Sequence, residues 1–242
     1  MTGLQKTFSF DVYRSLIRRF IEREYRVVPL IDTSRTHSLI LRHDVEIELE
    51  AAARMAAVES DMGVVATYFV ALSSPMFGTE SAAFSRAIAA IAGCGHSLGI
   101  HLTPQEALDI QSGRLVLPDW VSSPPAASLH SPGPVDQIDT EYLSLVRPVY
   151  EPIQRGRWIY ISDSAGTWGH GDPLETAAFH EGRSIQLLTH PFWWTGGSGT
   201  PLERMERLRE RTTDRASAQA FFPRLYGQAE GRPGDSAGRL RG

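Results

Sequence analysis

Cysteine is nearly missing from this chain. A single Cys94 among 242 residues excludes an intrachain disulfide and any cysteine-built zinc site, and points to a reducing compartment. Long apolar runs are missing as well: no window approaches the ~18 uninterrupted apolar residues that a membrane span needs. Near the N-terminus, Asp11, Arg14, Arg18, Arg19, Glu22 and Arg23 interrupt the apolar residues and leave no export-signal core. The expectation is a cytoplasmic chain without a transmembrane segment. Neither sign of charge dominates, since 24 basic residues face 28 acidic ones for a formal net charge of −4, so no nucleic-acid partner is expected. A Gly-Lys-Ser/Thr phosphate loop, a Gly-x-Gly-x-x-Gly fingerprint after a strand and a Gly-x-Ser-x-Gly elbow are all lacking, which weighs against nucleotide enzymes and serine hydrolases.

What is present is a 42% hydrophobic chain with strands alternating with helices. Residues 11–24 predict an amphipathic helix, with Val12, Leu16, Ile17, Phe20 and Ile21 at near-helical spacing. Strands are predicted over 39–45, 64–70, 97–101, near 127–130, and over 158–162 and 184–190. Helices are predicted over 47–61, 79–92, 106–111, 138–150, 173–180 and 201–216. Residues 116–134, rich in Pro and Ser, predict a long surface loop around the strand near 127–130. This alternation calls for an α/β fold of parallel βαβ units, either a barrel or a doubly wound sheet. The Gly/Arg-rich stretch 227–242 is expected to be disordered.

The run Leu39-Ile-Leu-Arg-His-Asp-Val-Glu46 is apolar and then abruptly ionisable. Strand alternation puts Asp44 and Glu46 on one face, with His43 and Val45 on the other. Two adjacent carboxylates at the end of a buried strand need a cation or a shared proton between them; the alternative is a strand surfacing into an acidic helix start. His101 closes Gly95-His-Ser-Leu-Gly-Ile-His101, sharing a face with Gly99, and reads either as a metal ligand or catalytic group or as a core histidine. His96 lies on the other face and reads as structural. His130 stands before a Pro-Gly turn, at a strand tip or simply in solvent. Asp163 reads as the orienter of a histidine, a partner of Arg42 or a helix N-cap. His190 precedes Pro191, which ends its strand, and then Phe192, Trp193 and Trp194 form either a substrate wall or a cap on the core. Asp44, Glu46, His101, His130, Asp163 and His190 all fall at C-terminal strand ends, the edge where parallel α/β folds build their sites.

Arg42-His-Asp-Val-Glu46, the Ala/Glu helix after it, Gly63-Val-Val-Ala-Thr-Tyr-Phe-Val70, Gly95-His-Ser-Leu-Gly-Ile-His101 and Leu188-Thr-His190 occur in that order. Together they resemble the polysaccharide deacetylase (NodB-homology, carbohydrate esterase type) family over about residues 35–195. The resemblance implies a single-domain distorted (β/α) barrel, residues 35–226, with residues 1–34 as a helical extension packed on it. It also implies hydrolysis of an N-acyl group, acetyl or formyl, on a sugar or glycan precursor with a divalent metal, commonly zinc. In that pattern Asp44 is the general base, Glu46 and His101 are metal ligands, and His190 is the general acid; Asp163 is counted with the catalytic residues from its own strand-end position. Trp193, Trp194 and Trp168 would line the substrate site. Two positions depart from the pattern: Glu46 stands where an aspartate is usual, and Gln105 where a second metal histidine is usual. His130 is the candidate for the missing nitrogen. The precursor is expected to be nucleotide-linked or lipid-linked. A metal-independent hydrolase of small amides and a carbohydrate-binding barrel without turnover are the two alternatives.

Overall fold

The computed structural model describes residues 8–32, 36–134, 137–140, 144–169, 171–197, 199–212, 216, 218 and 219. Helix α1 (Phe10–Glu22) begins where the Ser9 hydroxyl accepts a hydrogen bond from the Val12 N–H, and it buries Tyr13, Leu16, Ile17 and Phe20. A short strand β1 (Arg26–Val27), not predicted from the sequence, pairs with the start of β2 (Ser38–Val45). Then follow α2 (Leu49–Asp61), β3 (Thr67–Ala71), α3 (Ala82–Gly93), β4 (Ser97–Leu102), α4 (Pro104–Gln111), β5 (Ala127–Leu129), α5 (Arg147–Gln154), β6 (Ile159–Ser162), α6 (Ala177–His180), β7 (Ile185–Thr189) and α7 (Pro201–Arg211). All strand pairs are parallel, in the order β5-β4-β3-β2-β7-β6, and the sheet curls into a half-barrel. The fold is therefore α/β and barrel-like. Among the described residues, no helix is long and apolar enough to cross a membrane.

Three predicted helices differ in extent. The helix expected over 138–150 runs instead from Arg147, after a 3₁₀ turn at Ser144–Val146. Pro148 sits in the first turn of the observed helix, where a fixed φ and a missing N–H are well suited. The helix expected over 173–180 is split, since Thr176 is extended and its hydroxyl accepts from Phe179 N–H to start a new turn. The last helix stops at Arg211, with Thr212 extended. Residues 141–143, 213–215 and the tail 227–242 lie outside the described residues.

Strand β2 is buried along its whole length, so both of its faces are packed. Leu39, Leu41 and Val45 join one core with Tyr13, Ile17 and Phe20 of α1, so the N-terminal helix shares the sheet's own core. Ile40 joins a second core with Phe69, Ile100 and Tyr150. His43 falls on the α1 side, where the fully buried Glu59 of α2 receives it at 2.8 Å from Nε2. Tyr13 and Tyr68 donate their hydroxyls to the same carboxylate, and His43 Nδ1 meets Thr189 Oγ1 at 2.7 Å. Burial alone would raise the Glu59 pKa, but the His43 charge and these hydrogen bonds bring it below the ordinary carboxylate value. This network pins α1, α2, β2, β3 and β7 together. His96, as expected, is structural: its ring accepts from Ala66 N–H and meets Ala56 O at 2.9 Å.

Gly99 is required for a close approach. A Cβ there would meet the Phe69 ring at 2.6 Å and Ala126 O at 2.8 Å, with the backbone carbonyl unable to swing aside. Gly99→Ala is expected to destabilise the fold by about 1–3 kcal/mol, the usual cost of overpacking. Urea denaturation checks this, and an unchanged midpoint would contradict it.

Candidate active site and metal centre

The strand register explains how distant residues meet. β5 pairs with β4 so that Ser128 lies opposite His101, and His101 Nδ1 faces Ser128 Oγ at 2.7 Å. Ser128 in turn donates to Asp44 Oδ1 at 3.1 Å. Its proton being spent there, the histidine must be the donor, with its own proton on Nδ1. That leaves Nε2 bare in the neutral ring, 2.7 Å from Glu46 Oε1 and 3.2 Å from His130 Nδ1. His130 Nδ1 also lies 2.6 Å from Glu46 Oε1. A lone pair facing a carboxylate oxygen at such a distance needs a proton or a cation between them.

The donor set fits a divalent metal. Glu46, His101 and His130 bring one ligand atom each within 4.8 Å of one another, and nitrogen plus carboxylate donors suit zinc. Zinc ligands lie about 2.0–2.2 Å from the ion, so tetrahedral neighbours sit about 3.3 Å apart. The two imidazole nitrogens are already at that spacing, and Glu46 needs only a small withdrawal. Burial alone would raise the Glu46 pKa, yet the close approach of His101 and His130 takes it well below the ordinary carboxylate value, the direction a proton or cation between these atoms produces. Gln105 takes no part: it is exposed on α4, and its amide donates to Asp109.

Asp44 is 3% exposed and held by a two-point pair with Arg42, Nε to Oδ1 at 3.0 Å and Nη2 to Oδ2 at 2.7 Å. Burial alone would raise its pKa; the Arg42 charge, followed by His101, lowers it. A carboxylate has about four lone-pair sites, and Arg42 and Ser128 fill three of them. The fourth, on Oδ2, lies on the side of His101, whose Nδ1 is 3.5 Å away. Asp44 therefore has a positioning role that the sequence reading missed, fixing the tautomer of His101 through Ser128.

His190 stands across the cavity. Asp163 accepts its backbone N–H at 3.0 Å and meets its Nδ1 at 2.7 Å. Trp194 Nε1 donates to the other Asp163 oxygen at 2.7 Å. Of the three readings open for Asp163, the geometry favours orientation of His190; Arg42 is taken by Asp44, and Asp163 makes no side-chain cap bond at the 3₁₀ turn after it. Burial alone would lower the His190 pKa, but the hydrogen bond and charge of Asp163, with smaller contributions from Glu46 and Asp44, raise it from 6.5 to about 9.

Arg42, Asp44, Glu46, His101, His130 and His190 line one cavity of about 480 Å³, whose apolar wall includes Ile47, Leu129, Leu188 and Phe192. Of the tryptophans expected to line it, only Trp193 does. Trp194 is 1% exposed and serves Asp163. Trp168 packs edge-on against Phe8 at 5.6 Å and lines a separate cavity beside α1. The indole N–H explains the difference for Trp194: buried, it needs an acceptor, and Asp163 is the one in reach. Arg204 of α7, 8% exposed, also escaped the sequence reading. It donates to the carbonyls of Phe192 and Trp193 and to Thr195 Oγ1, capping the 3₁₀ turn Pro191–Trp194 that follows His190.

Compared with known proteins, the chain matches no family model, no curated protein and no solved structure.

His190 raised to about 9 stabilises the fold below its ordinary 6.5, and that contribution is lost as pH rises through 9. An NMR titration of the imidazole Cε1–H signals is expected to find one histidine with its midpoint near 9. Asp163→Asn should move that midpoint down. A midpoint insensitive to Asp163→Asn would contradict the assignment.

Proposed function

We propose that this chain is a hydrolase of an acylamino group, on a sugar as the family resemblance implies, working with a divalent metal, most simply zinc. The observation that carries this reading is the convergence of Glu46, His101 and His130 opposite an Asp163-held His190 in one cavity. A NodB-type barrel, the finer form of the half-barrel sheet, belongs to the same reading.

Bound by Glu46, His101 and His130, a zinc ion would supply Lewis-acid polarisation of the acyl carbonyl and a lowered pKa for water. The chain's own groups divide the proton work. Asp44 stays ionised at neutral pH and takes the proton of the attacking water on its remaining Oδ2 lone pair. His190, an imidazolium below its pKa of about 9, donates a proton to the departing nitrogen. An amine leaves poorly without that proton, so the acid matters more for amides than for esters. Asp163 keeps the imidazolium charged and its Nε2–H turned away from the carboxylate, and Arg204 steadies the turn behind it. Phe192, Trp193 and Leu188 exclude water from the acyl side.

A second reading has one observation in its favour: Glu46 already lies within hydrogen-bond distance of both imidazoles, an arrangement that protonated rings satisfy without metal. A metal-independent amide hydrolase would show turnover indifferent to chelators.

Chelation is expected to abolish amide hydrolysis and zinc to restore it; full activity after chelation would select the second reading. Ser128→Ala should weaken zinc affinity about 10–100-fold, the usual effect of losing a ligand's supporting hydrogen bond, as read by competition with a chromogenic chelator. His190→Ala should lower amide turnover about 10²–10⁴-fold and ester turnover much less. Equal losses on the two substrates would remove His190 from the acid role.

A further inference from the structure

We propose that Trp194 is a positioning residue for proton transfer: its indole N–H holds the carboxylate of Asp163 so that His190 keeps its Nδ1 proton when the Nε2 proton leaves. This rests on the reading of His190 as the general acid, while the contacts that carry it lie apart from Glu46, His101 and His130. Asp163 is 0% exposed, so solvent does not stabilise its charge. Its carboxylate has few partners among the described residues. Oδ1 and Oδ2 share the backbone N–H of His190 at 3.0 and 3.1 Å, and Oδ1 also meets His190 Nδ1 at 2.7 Å. The one donor that does not belong to His190 is the indole Nε1–H of Trp194, 2.7 Å from Oδ2.

The importance of that donor changes during the reaction. While the ring is an imidazolium, its charge matches the carboxylate. Once Nε2 has given its proton to the departing nitrogen and the carbon–nitrogen bond has broken, the ring is neutral and the match is lost. The carboxylate can then draw the Nδ1 proton onto itself. A hydrogen bond at Oδ2 opposes this, because a donor to a carboxylate favours the ionised form. Trp194 thus stabilises the state after proton transfer more than the state before it, where the imidazolium already balances the charge. An acid so supported releases its proton more readily.

The indole is fixed in place from several sides. Tyr13 of α1 meets it edge-on with ring centroids 5.2 Å apart, and Phe8 and Trp168 lie at 4.6 and 6.0 Å. Trp194 ends the 3₁₀ turn Pro191–Trp194, in which Trp193 N–H donates to His190 O at 3.0 Å. The turn that leaves the histidine therefore brings back the group that steadies its partner. The other charges bearing on His190 come from Glu46 and Asp44 of β2, and each has its own partners, His101 and His130 for the first and Arg42 for the second. The Tyr13 hydroxyl is given to Glu59. Trp194 is thus the one neighbour that donates to Asp163 without carrying a charge of its own.

Trp194→Phe keeps an aromatic ring and deletes the donor. Zinc-loaded wild type and variant are compared by NMR titration of His190 without substrate, and by the pH profile of kcat on an amide and on the matching ester. The variant is expected to hold its imidazolium more firmly. Its His190 midpoint and the alkaline limb of its amide profile should both lie above the wild-type value of about 9, the opposite direction from Asp163→Asn. Amide kcat should fall roughly tenfold, the equivalent of one charge-assisted hydrogen bond, with KM unchanged and ester kcat reduced less. In the wild type, which needs no variant to fold, one indole N–H signal is expected to move downfield together with the His190 titration, as the carboxylate leans more on Trp194. A His190 midpoint unchanged or lowered in Trp194→Phe would overturn the proposal, and so would the absence of any indole signal that follows the His190 titration. Both NMR responses in a protein that hydrolyses no amide would support the role of Trp194 and count against the hydrolase reading instead.

Discussion

Arg42, His43 and Asp44 stand side by side within a central strand, none of them more than 3% exposed. A buried charge is tolerable only when it is paired and hydrogen-bonded, and strand alternation means that the pairing must be solved on both faces of the sheet. On one face Arg42 and Asp44 hold each other. On the other, His43 meets Glu59, itself held by Tyr13 and Tyr68. Removing one member of such a pair typically costs about 3–5 kcal/mol, because the survivor is left charged and unmatched. The rest of the site depends on that strand being fixed in register between β3 and β7.

Once β2 is fixed, the chemistry follows by contact. Asp44, anchored by Arg42, aligns Ser128; Ser128 sets the tautomer of His101; and the bare Nε2 of His101 then turns to Glu46 and His130. This is the arrangement by which ligands are oriented from behind in metal sites generally. On the opposite side, Asp163 is held by Trp194 and holds His190. The two halves meet because β2, β4, β5, β6 and β7 all end at the same edge of the curled sheet.

That edge was legible in the sequence. Apolar runs ending in Asp44/Glu46, His101, His130, Asp163 and His190 locate the C-terminal strand ends, and their convergence requires only that the strands be parallel. The strand positions themselves follow from hydrophobic patterning, which long-range packing reinforces. The approach of His130 to His101 follows from the same strand-end pattern, because β5 pairs with β4, whereas Gln105 lies exposed on α4.

Other features depend on contacts that no local pattern encodes. Trp194 and Trp168 are chemically as fit for a substrate wall as Trp193, and only the location of Asp163 decides that Trp194 turns inward. Arg204 looks like one of several arginines on a charged helix until the carbonyls of Phe192 and Trp193 arrive beneath it. Glu59 closes an apolar-faced helix, and its burial makes sense only with His43 opposite. The helix near Pro148 starts later than apolar spacing alone suggests, with a 3₁₀ turn at Ser144–Val146 before it.

The central claim is that Glu46, His101 and His130 hold one divalent metal. X-ray absorption on protein loaded with a single equivalent of zinc tests it most directly. The account predicts nitrogen and oxygen ligands only, with two imidazoles, and loss of this signature in both His101→Ala and His130→Ala. A zinc environment unchanged in these two variants would contradict it.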